Sequence, residues 1–297
     1  MIVPKTWKFS AQILFLGLCF LGVVQGNAQG YVNILPNEIQ QPFRERYTRV
    51  TEGIRGSRSN EWAGSYSRYV GETWSDILIW TPDDGFAAYR DTCSNGPRAW
   101  VNFGSAKFQK GLLILSSEQS YKDEHSLAVE HEFTPVKWGH QHWLIPTDEL
   151  ELFAYAVNSG SWEDYGAFYL KDNEVEKEPK GQPEIPSTFK HILSRKPLKV
   201  KLLEAGMKPE SWYGDITIDA GKNKGVIVGM SFWLTGVKNT HVKISVVEVS
   251  ENTAVAKVVG VGYSYEYHDN GNPKGTEPME FKATPGLRFT SRNSHKD

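Results

Sequence analysis

The chain has 297 residues, of which 39% are hydrophobic, and a formal net charge of −2. Its 33 basic and 35 acidic residues form no basic stripe, so the charge pattern gives little support for a nucleic-acid partner. The length is sufficient for one large domain or two ordinary domains with buried apolar cores.

Residues 1–28 have the pattern of a secretory signal peptide. Lys5 and Lys8 precede the apolar run AQILFLGLCFLGVV, and Gly26 and Ala28 follow it. A basic region, a short apolar region and small residues at the cleavage site define such signals. The apolar run is too short to span a bilayer comfortably, which makes an uncleaved membrane anchor the weaker alternative. We expect cleavage after Ala28 and a periplasmic or secreted protein without a membrane span.

The cysteines exclude an intramolecular disulfide in the mature protein. Cleavage removes Cys19 and leaves Cys93 as the remaining cysteine. Leu18 is not the small residue that a lipoprotein signal places before its cysteine, so we do not expect lipid anchoring. Cys93 lies in the turn-rich segment RDTCSNG, and we interpret it as an incidental free thiol.

The next two segments predict an N-terminal arm and a first β domain. Residues 29–59 are polar and suit an arm or a short helix. Residues 60–170 contain short runs of β-branched and aromatic residues between turn residues, which predicts an antiparallel barrel or sandwich. The runs are SDILIW, GFAAYRD, GLLILSS, VEHEFTPVKW, HWLIP and ELFAYAVNSG. The segment TDELELFAYAV also allows a helical turn.

The segment EWAGSYSRY places Trp62, Gly64 and Tyr66 at intervals of two residues. This triplet, with the GFAAY and GLLIL strands that follow, resembles the opening of lipocalin-like and fatty-acid-binding-like barrels. In such barrels an aromatic side chain closes one end and a glycine lets strands approach closely. The resemblance implies either a ligand-holding barrel or a filled barrel used as a scaffold.

A linker and a second β domain follow. Residues 171–195 begin with KDNEVEKEPKGQPEIPST, a charged segment with prolines and no aromatic residue, which predicts an extended linker. The segment FKHILSRKPLKVKLLEAG then suits a short helix and a strand. In residues 196–297 we predict a small β-barrel, with SEN forming a hairpin turn and one strand alternating at Lys243, Ser245, Val247 and Val249.

Residues 213–260 carry a glycine pattern with a second resemblance. Gly221, Gly225 and Gly229, the last followed by Met230, separate alternating strands. The pattern resembles the small β-barrels of bacterial rod-shape scaffold proteins and of flagellar-ring-associated envelope proteins, although the coiled-coil helix of the rod-shape proteins is missing. We expect Gly221 and Gly225 to adopt positive φ in a tight turn and Gly229 to form a corner. The resemblance implies a binding or spacing element.

The stretch VKWGHQHWLIP is the best candidate for a metal site. We interpret it as one strand, in which residues two apart share a face, so that His140 and His142 could bind one cation. His131 and Glu132 would be candidate third ligands. The alternative, which we favour, is a strand whose histidines are partly exposed. We therefore predict neither a metal nor another cofactor, and His140 and His142 are the candidate ligands if a metal does bind.

Other catalytic patterns are weak. Asp83 and Asp84 in PDDG and Glu163 and Asp164 in WED are adjacent carboxylates, and adjacent pairs more often stabilise turns than cleave glycosides. We interpret DDG as a hairpin turn. The sequence contains no serine nucleophile elbow, phosphate loop or dinucleotide fingerprint. We predict no catalytic residues.

Aromatic residues are frequent, with ten Trp, thirteen Tyr and fourteen Phe. Most should form the cores of two β domains, because buried aromatics are the ordinary case. The alternative is a platform for a carbohydrate or an apolar ligand, formed by Tyr263, Tyr265 and Tyr267 on one strand face.

Together these patterns predict a mainly β protein with two antiparallel barrel or sandwich domains, a polar linker and a short N-terminal helical segment. We expect an exported, non-catalytic binding or scaffolding protein of the bacterial cell envelope, whose partner is an unknown protein or small molecule. The alternatives are a metal-assisted hydrolase that uses His140 and His142, and a lipocalin-like carrier of a small apolar ligand.

Overall fold

The computed structural model shows a mainly β fold with two closed barrels. It describes residues 35–56, 60–69, 74–92, 100–118, 125–161, 168–172, 174, 179–206, 215–237, 240–263, 266–267, 273–274 and 283–293. Two α-helices lie within these residues, α1 (Asn37–Gly56) and α2 (Leu150–Ser159). The predicted fold class is confirmed.

Eight strands form the first barrel, and neighbours along the chain are neighbours in the barrel. The strands are β1 (Gly64–Tyr69), β2 (Trp74–Thr81), β3 (Gly85–Thr92), β4 (Val101–Gln109), β5 (Leu112–Ser117), β6 (Glu132–Trp138), β7 (Gln141–Pro146) and β8 (Tyr169–Lys171). The barrel closes where β8 pairs with β1, with Tyr66 opposite Lys171. Closure leaves no free sheet edge to pair with another chain.

Side chains from every strand fill the interior of this barrel. Alternation along β2 sends Leu78 and Trp80 to one face and Ile77 and Ile79 to the other. The interior cluster consists of Tyr66, Leu78, Trp80, Phe86, Ala88, Ala106, Leu113, Leu115, Leu127, Phe133, Leu144 and Tyr169. Full burial of a large apolar side chain contributes about 1.5–3 kcal/mol, so this cluster contributes strongly to the barrel's stability.

Helix α1 covers the outside of the barrel and confirms the predicted N-terminal helical segment. Its side chain Phe43 packs with Ala87 and Phe103, and Val50 packs with Ile77 on the outer face of β2. The helix has an amphipathic face because its buried residues recur at helical spacing. The barrel is therefore buried on its interior and on part of its outer surface.

The stretch VKWGHQHWLIP is not one strand, so that prediction is wrong. β6 ends at Trp138, Gly139 and His140 form a turn, and β7 begins at Gln141. Gly139 has a φ of 61°, which a two-residue hairpin turn readily accommodates at a glycine. The apolar alternation on both sides of the turn concealed the chain reversal. As a result His140 and His142 do not share the face of one strand.

Two predicted turns are confirmed. In PDDG the chain reverses between β2 and β3, with Thr81 opposite Gly85, and the backbone amide of Asp84 donates to Thr81 Oγ1 at 3.1 Å. In SEN the amide of Ser250 donates to the carbonyl of Thr253 at 2.9 Å. A side-chain hydroxyl accepts a backbone hydrogen bond in the first turn, and a backbone–backbone hydrogen bond closes the second.

The second unit contains the strands β9 (Lys199–Ala205), β10 (Asp215–Ile218), β11 (Ser231–Thr235), β12 (Thr240–Val249), β13 (Ala254–Tyr263), β14 (Glu266–Tyr267), β15 (Pro273–Lys274) and β16 (Arg288–Thr290). Six of them form the second barrel in the order β10-β13-β12-β11-β16-β9, and β14 pairs with β15 separately. Val242, Ile244 and Val246 of β12 are buried, whereas Lys243 and Ser245 between them are partly exposed, which confirms the predicted alternation.

The glycines of the second barrel serve two different purposes. Gly225 and Gly229 have φ values of 74° and 85°, which favour glycine. Gly221 has a φ of −138°, so the prediction of positive φ there is wrong. A Cβ atom at Gly221 would instead lie 2.3 Å from the carbonyl oxygen of Ser250, so glycine is needed for close backbone approach.

The chain divides into two compact units that interleave along the sequence. The first contains residues up to Pro135, His140–Pro146 and Tyr169–Pro179, and the second contains Val136–Gly139, Thr147–Phe168 and the residues from Lys180 onward. Helix α2 thus belongs to the second unit, although it lies in the segment 60–170. Within the described part of the predicted linker, the amide of Glu184 donates to the carbonyl of Lys137 at 2.8 Å.

The segment before β9 has the predicted short helix and strand, in the form of a 3₁₀ turn at Ile192–Ser194 followed by β9. Several sequence predictions fall outside the described residues, namely those on residues 1–28, Cys93, Glu163 and Asp164, and the side chains of Tyr263, Tyr265 and Tyr267. No helix in the described ranges is both long enough and apolar enough to cross a membrane.

Candidate functional site

The candidate site lies at the end of the first barrel where β1 ends and β2 begins. Asp76 precedes Leu78 by two residues on β2 and therefore lies on the inward face. The strand register places Arg68 of β1 and Arg90 of β3 directly opposite Asp76. Three charged residues from three neighbouring strands thus meet inside the barrel.

Asp76 is held by both arginines. Arg90 Nε donates to Asp76 Oδ1 at 2.6 Å and Arg90 Nη2 donates to Oδ2 at 3.0 Å, which is a bidentate pair. Arg68 approaches Oδ2 at 3.4 Å. The side chain of Asp76 is 0% exposed, compared with 11% for Arg68 and 19% for Arg90. The fully buried Asp76 carboxylate therefore positions both guanidinium groups.

Glu130 and Tyr169 extend the cluster. Arg68 Nη1 donates to Glu130 Oε1 at 2.6 Å, and the Arg68 guanidinium lies 4.6 Å from the centre of the Tyr169 ring. Burial raises the pKa of Tyr169, although Arg68 opposes the shift, so the hydroxyl stays protonated. Two guanidinium groups and two carboxylates give the cluster no net charge. We call Arg68, Asp76, Arg90 and Glu130 the charged cluster.

Two tryptophans lie over the charged cluster at the rim of the barrel. The Arg90 guanidinium lies 5.5 Å from the centre of the Trp74 ring and 5.6 Å from that of Trp100. The two indole rings are 5.8 Å apart and inclined by 36°. Trp74 is 38% exposed. The bidentate bond to Asp76 fixes Arg90, and Arg90 in turn supports a partly exposed aromatic surface.

The opposite end of the same barrel contains His142. His142 Nδ1 lies 2.9 Å from Glu174 Oε1, and the amide of His142 donates to Glu174 Oε2 at 2.6 Å. Its Nε2 lies 3.5 Å from Glu61 Oε2, and the Trp62 ring contacts the imidazole edge-on at 5.0 Å. Tyr66 Oη donates to the carbonyl of Trp62 at 2.7 Å. Trp62, which packs against the interior cluster, therefore lies beside His142 at this end of the barrel.

The structure does not bring the proposed metal ligands together. His140 is exposed in the β6–β7 turn, whereas His142 is engaged by Glu174. His131 and Glu132 lie at the other end of β6, and His131 Nδ1 is 2.5 Å from the carbonyl oxygen of Leu115. Across the described ranges, no group of three or more His, Cys, Asp or Glu side chains could hold a metal ion.

The charged cluster was not predicted from the sequence, although a signal for it exists. Three consecutive strands each carry one charged residue at an inward-facing position, namely Arg68, Asp76 and Arg90. The neighbouring inward-facing residues are apolar, such as Tyr66, Leu78 and Ala88. A charged residue in the apolar phase of three consecutive strands indicates an internal charged cluster. Which charges pair depends on the strand register, which only the structure shows.

No protein-family model matches the chain, and no curated protein or solved structure matches it significantly.

Proposed function

We propose that this protein is an exported, non-catalytic binding or scaffolding protein of the bacterial cell envelope, and that the Trp74–Trp100 rim is its contact surface. The observation that carries the proposal is a partly exposed indole pair supported by Arg90, which Asp76 holds by a bidentate hydrogen bond. A surface that is already rigid loses little side-chain entropy on binding.

A filled interior supports surface binding over transport inside the barrel. A lipocalin-like carrier needs an internal space that can enclose its ligand. The buried cluster that includes Trp80, Phe86, Phe133 and Tyr169 occupies the interior of the first barrel. Of the two possibilities implied by the lipocalin-like resemblance, this packing favours the filled scaffold.

The state of the polar groups supports a non-catalytic role. Asp76 is engaged by two arginines, and His142 is engaged by Glu174. Asp84 accepts a hydrogen bond from Thr81 Oγ1 within its turn. General acid–base catalysis requires a titrating group within reach of a substrate. These side chains instead stabilise the barrel and its turns.

An oligosaccharide is the ligand class that suits the rim best. Its apolar ring faces can pack on indole rings, and its hydroxyl groups can bond to nearby charged side chains such as Arg90 and Glu130. Neutral sugars also suit a cluster without net charge, because they bring no charge that must be desolvated.

Tryptophan fluorescence tests this proposal, with titrations of soluble oligosaccharides and, in parallel, of a fatty acid. We expect oligosaccharide binding that Trp74→Ala weakens at least about tenfold, the loss expected for a central aromatic contact. Phe108→Ala is the matched control, because Phe108 is 40% exposed but lies at the other end of the barrel. Fatty-acid binding without oligosaccharide binding would favour the carrier, and turnover of glycans, peptides or esters would contradict a non-catalytic role.

Export has a separate test. We expect the N-terminus of the protein recovered from the periplasm or the medium to be Gln29, the residue after Ala28. Retention in the cytoplasm, or an intact leader on the recovered protein, would contradict export with cleavage.

A further inference from the structure

The second unit contains a small cavity with an excess of positive charge. Its volume is about 40 Å³, and Arg195, Lys196 and Lys224 are among the residues that line it. Ser159 and Ser291 add hydroxyl groups, and no lining residue is acidic. The local charge of three positive groups contrasts with the formal charge of −2 on the whole chain. This arrangement favours an anion.

Neutral groups hold Arg195 in place. Its Nη1 donates to Tyr155 Oη, and Nη2 lies 3.5 Å from the carbonyl oxygen of Lys224. Tyr155 Oη in turn donates to the carbonyl of Gly225 at 3.0 Å. Burial raises the pKa of Tyr155, an effect that Arg195 partly opposes, so the phenol remains a neutral donor. Among the described residues, no carboxylate pairs with the Arg195 guanidinium.

Gly225 lets the backbone approach the guanidinium closely. It has a φ of 74°, and a Cβ atom at this position would lie 2.4 Å from Arg195 Nη1. A side chain at residue 225 would therefore displace Arg195. The turn and the arginine form one structural unit, although about thirty residues of chain separate them.

The size of the cavity favours a small anionic group. A cavity volume of about 10–15 Å³ holds one water molecule, so a cavity of 40 Å³ holds about three heavy atoms. A carboxylate group has three heavy atoms, whereas phosphate and sulfate have five. The planar guanidinium fork also matches the geometry of a carboxylate.

We infer that this cavity binds a carboxylate group, supplied either by a small organic acid or by the C-terminus of a peptide, with Arg195 as the main contact. Lys196 and Lys224 add positive charge, although Lys224 Nζ also donates to the carbonyl of Asp219 at 2.7 Å. The hydroxyl of Ser291 accepts from the amide of Leu198 at 2.8 Å and can donate its own proton to the anion. The site is independent of the contact surface proposed for the first barrel.

Amide NMR spectra of the full mature chain test the inference, with acetate as the probe at constant ionic strength. We expect saturable shifts at Gly225 and Ser159, and Arg195→Met should weaken acetate binding at least about tenfold, because hydrogen bonds between charged groups are the strong ones. Arg195→Lys, which retains the charge and loses the fork, should give an intermediate loss. Lys222→Met is the matched control, because Lys222 lies in the turn that ends at Gly225 but does not line the cavity. This variant should bind acetate like the unmodified protein.

Three results would overturn the inference. They are the absence of saturable acetate shifts at Gly225 and Ser159, an acetate affinity that Arg195→Met leaves unchanged, and phosphate or sulfate binding as tight as that of acetate. A variant spectrum that is otherwise unchanged shows that the protein has folded. If Arg195→Met fails to fold, Gly225→Ala and Arg195→Lys provide the same comparison.

A blocked dipeptide with a free C-terminal carboxylate, together with its amide, identifies the source of the carboxylate. Tighter binding of the free acid than of acetate, with no binding of the amide, assigns the site to a peptide C-terminus. Equal binding of the free acid and acetate assigns it to small acids. Binding of the amide as tight as that of the free acid would contradict carboxylate recognition.

Discussion

Replacement of Asp76 by leucine should destabilise the first barrel strongly, and the additional change Arg90→Met should reverse much of that loss. Asp76 is the fully buried carboxylate between Arg68 and Arg90. With leucine at this position, two largely buried guanidinium groups would face each other with only Glu130 to balance them. The cost comes from the buried charge that has lost its partner, and less from the hydrogen bonds themselves.

The expected loss of stability in Asp76→Leu follows from the burial and charge of the groups left behind. Loss of one partner from a buried ion pair costs about 3–5 kcal/mol. Asp76→Leu leaves the cluster with a net charge of +1, whereas Asp76→Leu with Arg90→Met leaves only the pair of Arg68 and Glu130, joined at 2.6 Å, with no net charge. Because apolar replacement of a whole buried pair is often close to neutral, we expect the double variant to regain at least about 2 kcal/mol.

Hydrogen exchange read at the amides of β2 and β3 is the appropriate assay. The chain has two compact units, so a single melting curve need not be two-state. Exchange protection in β2 and β3 reports the opening free energy of the first barrel itself. Asp83→Ala is the control, because this exposed carboxylate lies in the β2–β3 turn and its loss should change the opening free energy by less than about 0.5 kcal/mol.

Two outcomes would refute the reasoning. If Asp76→Leu costs no more than Asp83→Ala, the charged cluster does not contribute to stability as its burial indicates. If the double variant is less stable than Asp76→Leu alone, the loss arises from poor packing of the new side chains and not from an unpaired charge.

Two further changes test other parts of the first barrel. Burial raises the pKa of Asp172 above its ordinary value of 3.8, although hydrogen bonds from Ser65 and Ser67 lower it, so the folded protein holds this proton more tightly than the unfolded chain. The associated stability is present below pH 3.8 and is lost as the pH rises through the folded pKa. Asp172→Asn should therefore be more stable than the unmodified protein at neutral pH, with no difference below pH 3.8, as measured by the hydrogen-exchange opening free energy of the first barrel across pH. Gly104→Ala should destabilise the barrel by about 1–3 kcal/mol in the exchange assay, because its Cβ would lie 2.0 Å from the carbonyl oxygen of Ser116. Gly56→Ala, which has no neighbouring atom within 4 Å, should not destabilise it.

Features that depend on neighbouring residues were predictable from the sequence. Alternation of apolar residues indicated the strands, and short polar runs such as PDDG and SEN indicated the turns, because each depends on a few adjacent residues. For residues 29–59 the polar composition allowed either an arm or a short helix, and the structure shows a helix. Local patterns failed in VKWGHQHWLIP, where apolar alternation continues across Gly139 and conceals a reversal of the chain.

The candidate sites required contacts between distant residues. The charged cluster exists because the register of β1, β2 and β3 sets Arg68, Asp76 and Arg90 opposite one another. A shift of one residue in either pairing would move a charge to the outer face of the barrel. The cavity in the second unit likewise depends on distant contacts. Tyr155 bonds both to Arg195 and to Gly225, which lies in a turn about thirty residues after Arg195.

The sequence by itself determined that this protein is built from β-strands in two cores, where its main turns lie, and that its first residues resemble an export signal. These features follow from side-chain alternation and turn chemistry within short windows of the chain. Only the tertiary structure decided that the first barrel is filled, that its inward charges neutralise one another beneath Trp74, and that Arg195 meets no carboxylate among the described residues. Strand register and packing between distant segments fix these features, and a short window of sequence does not specify which residues become neighbours in the fold.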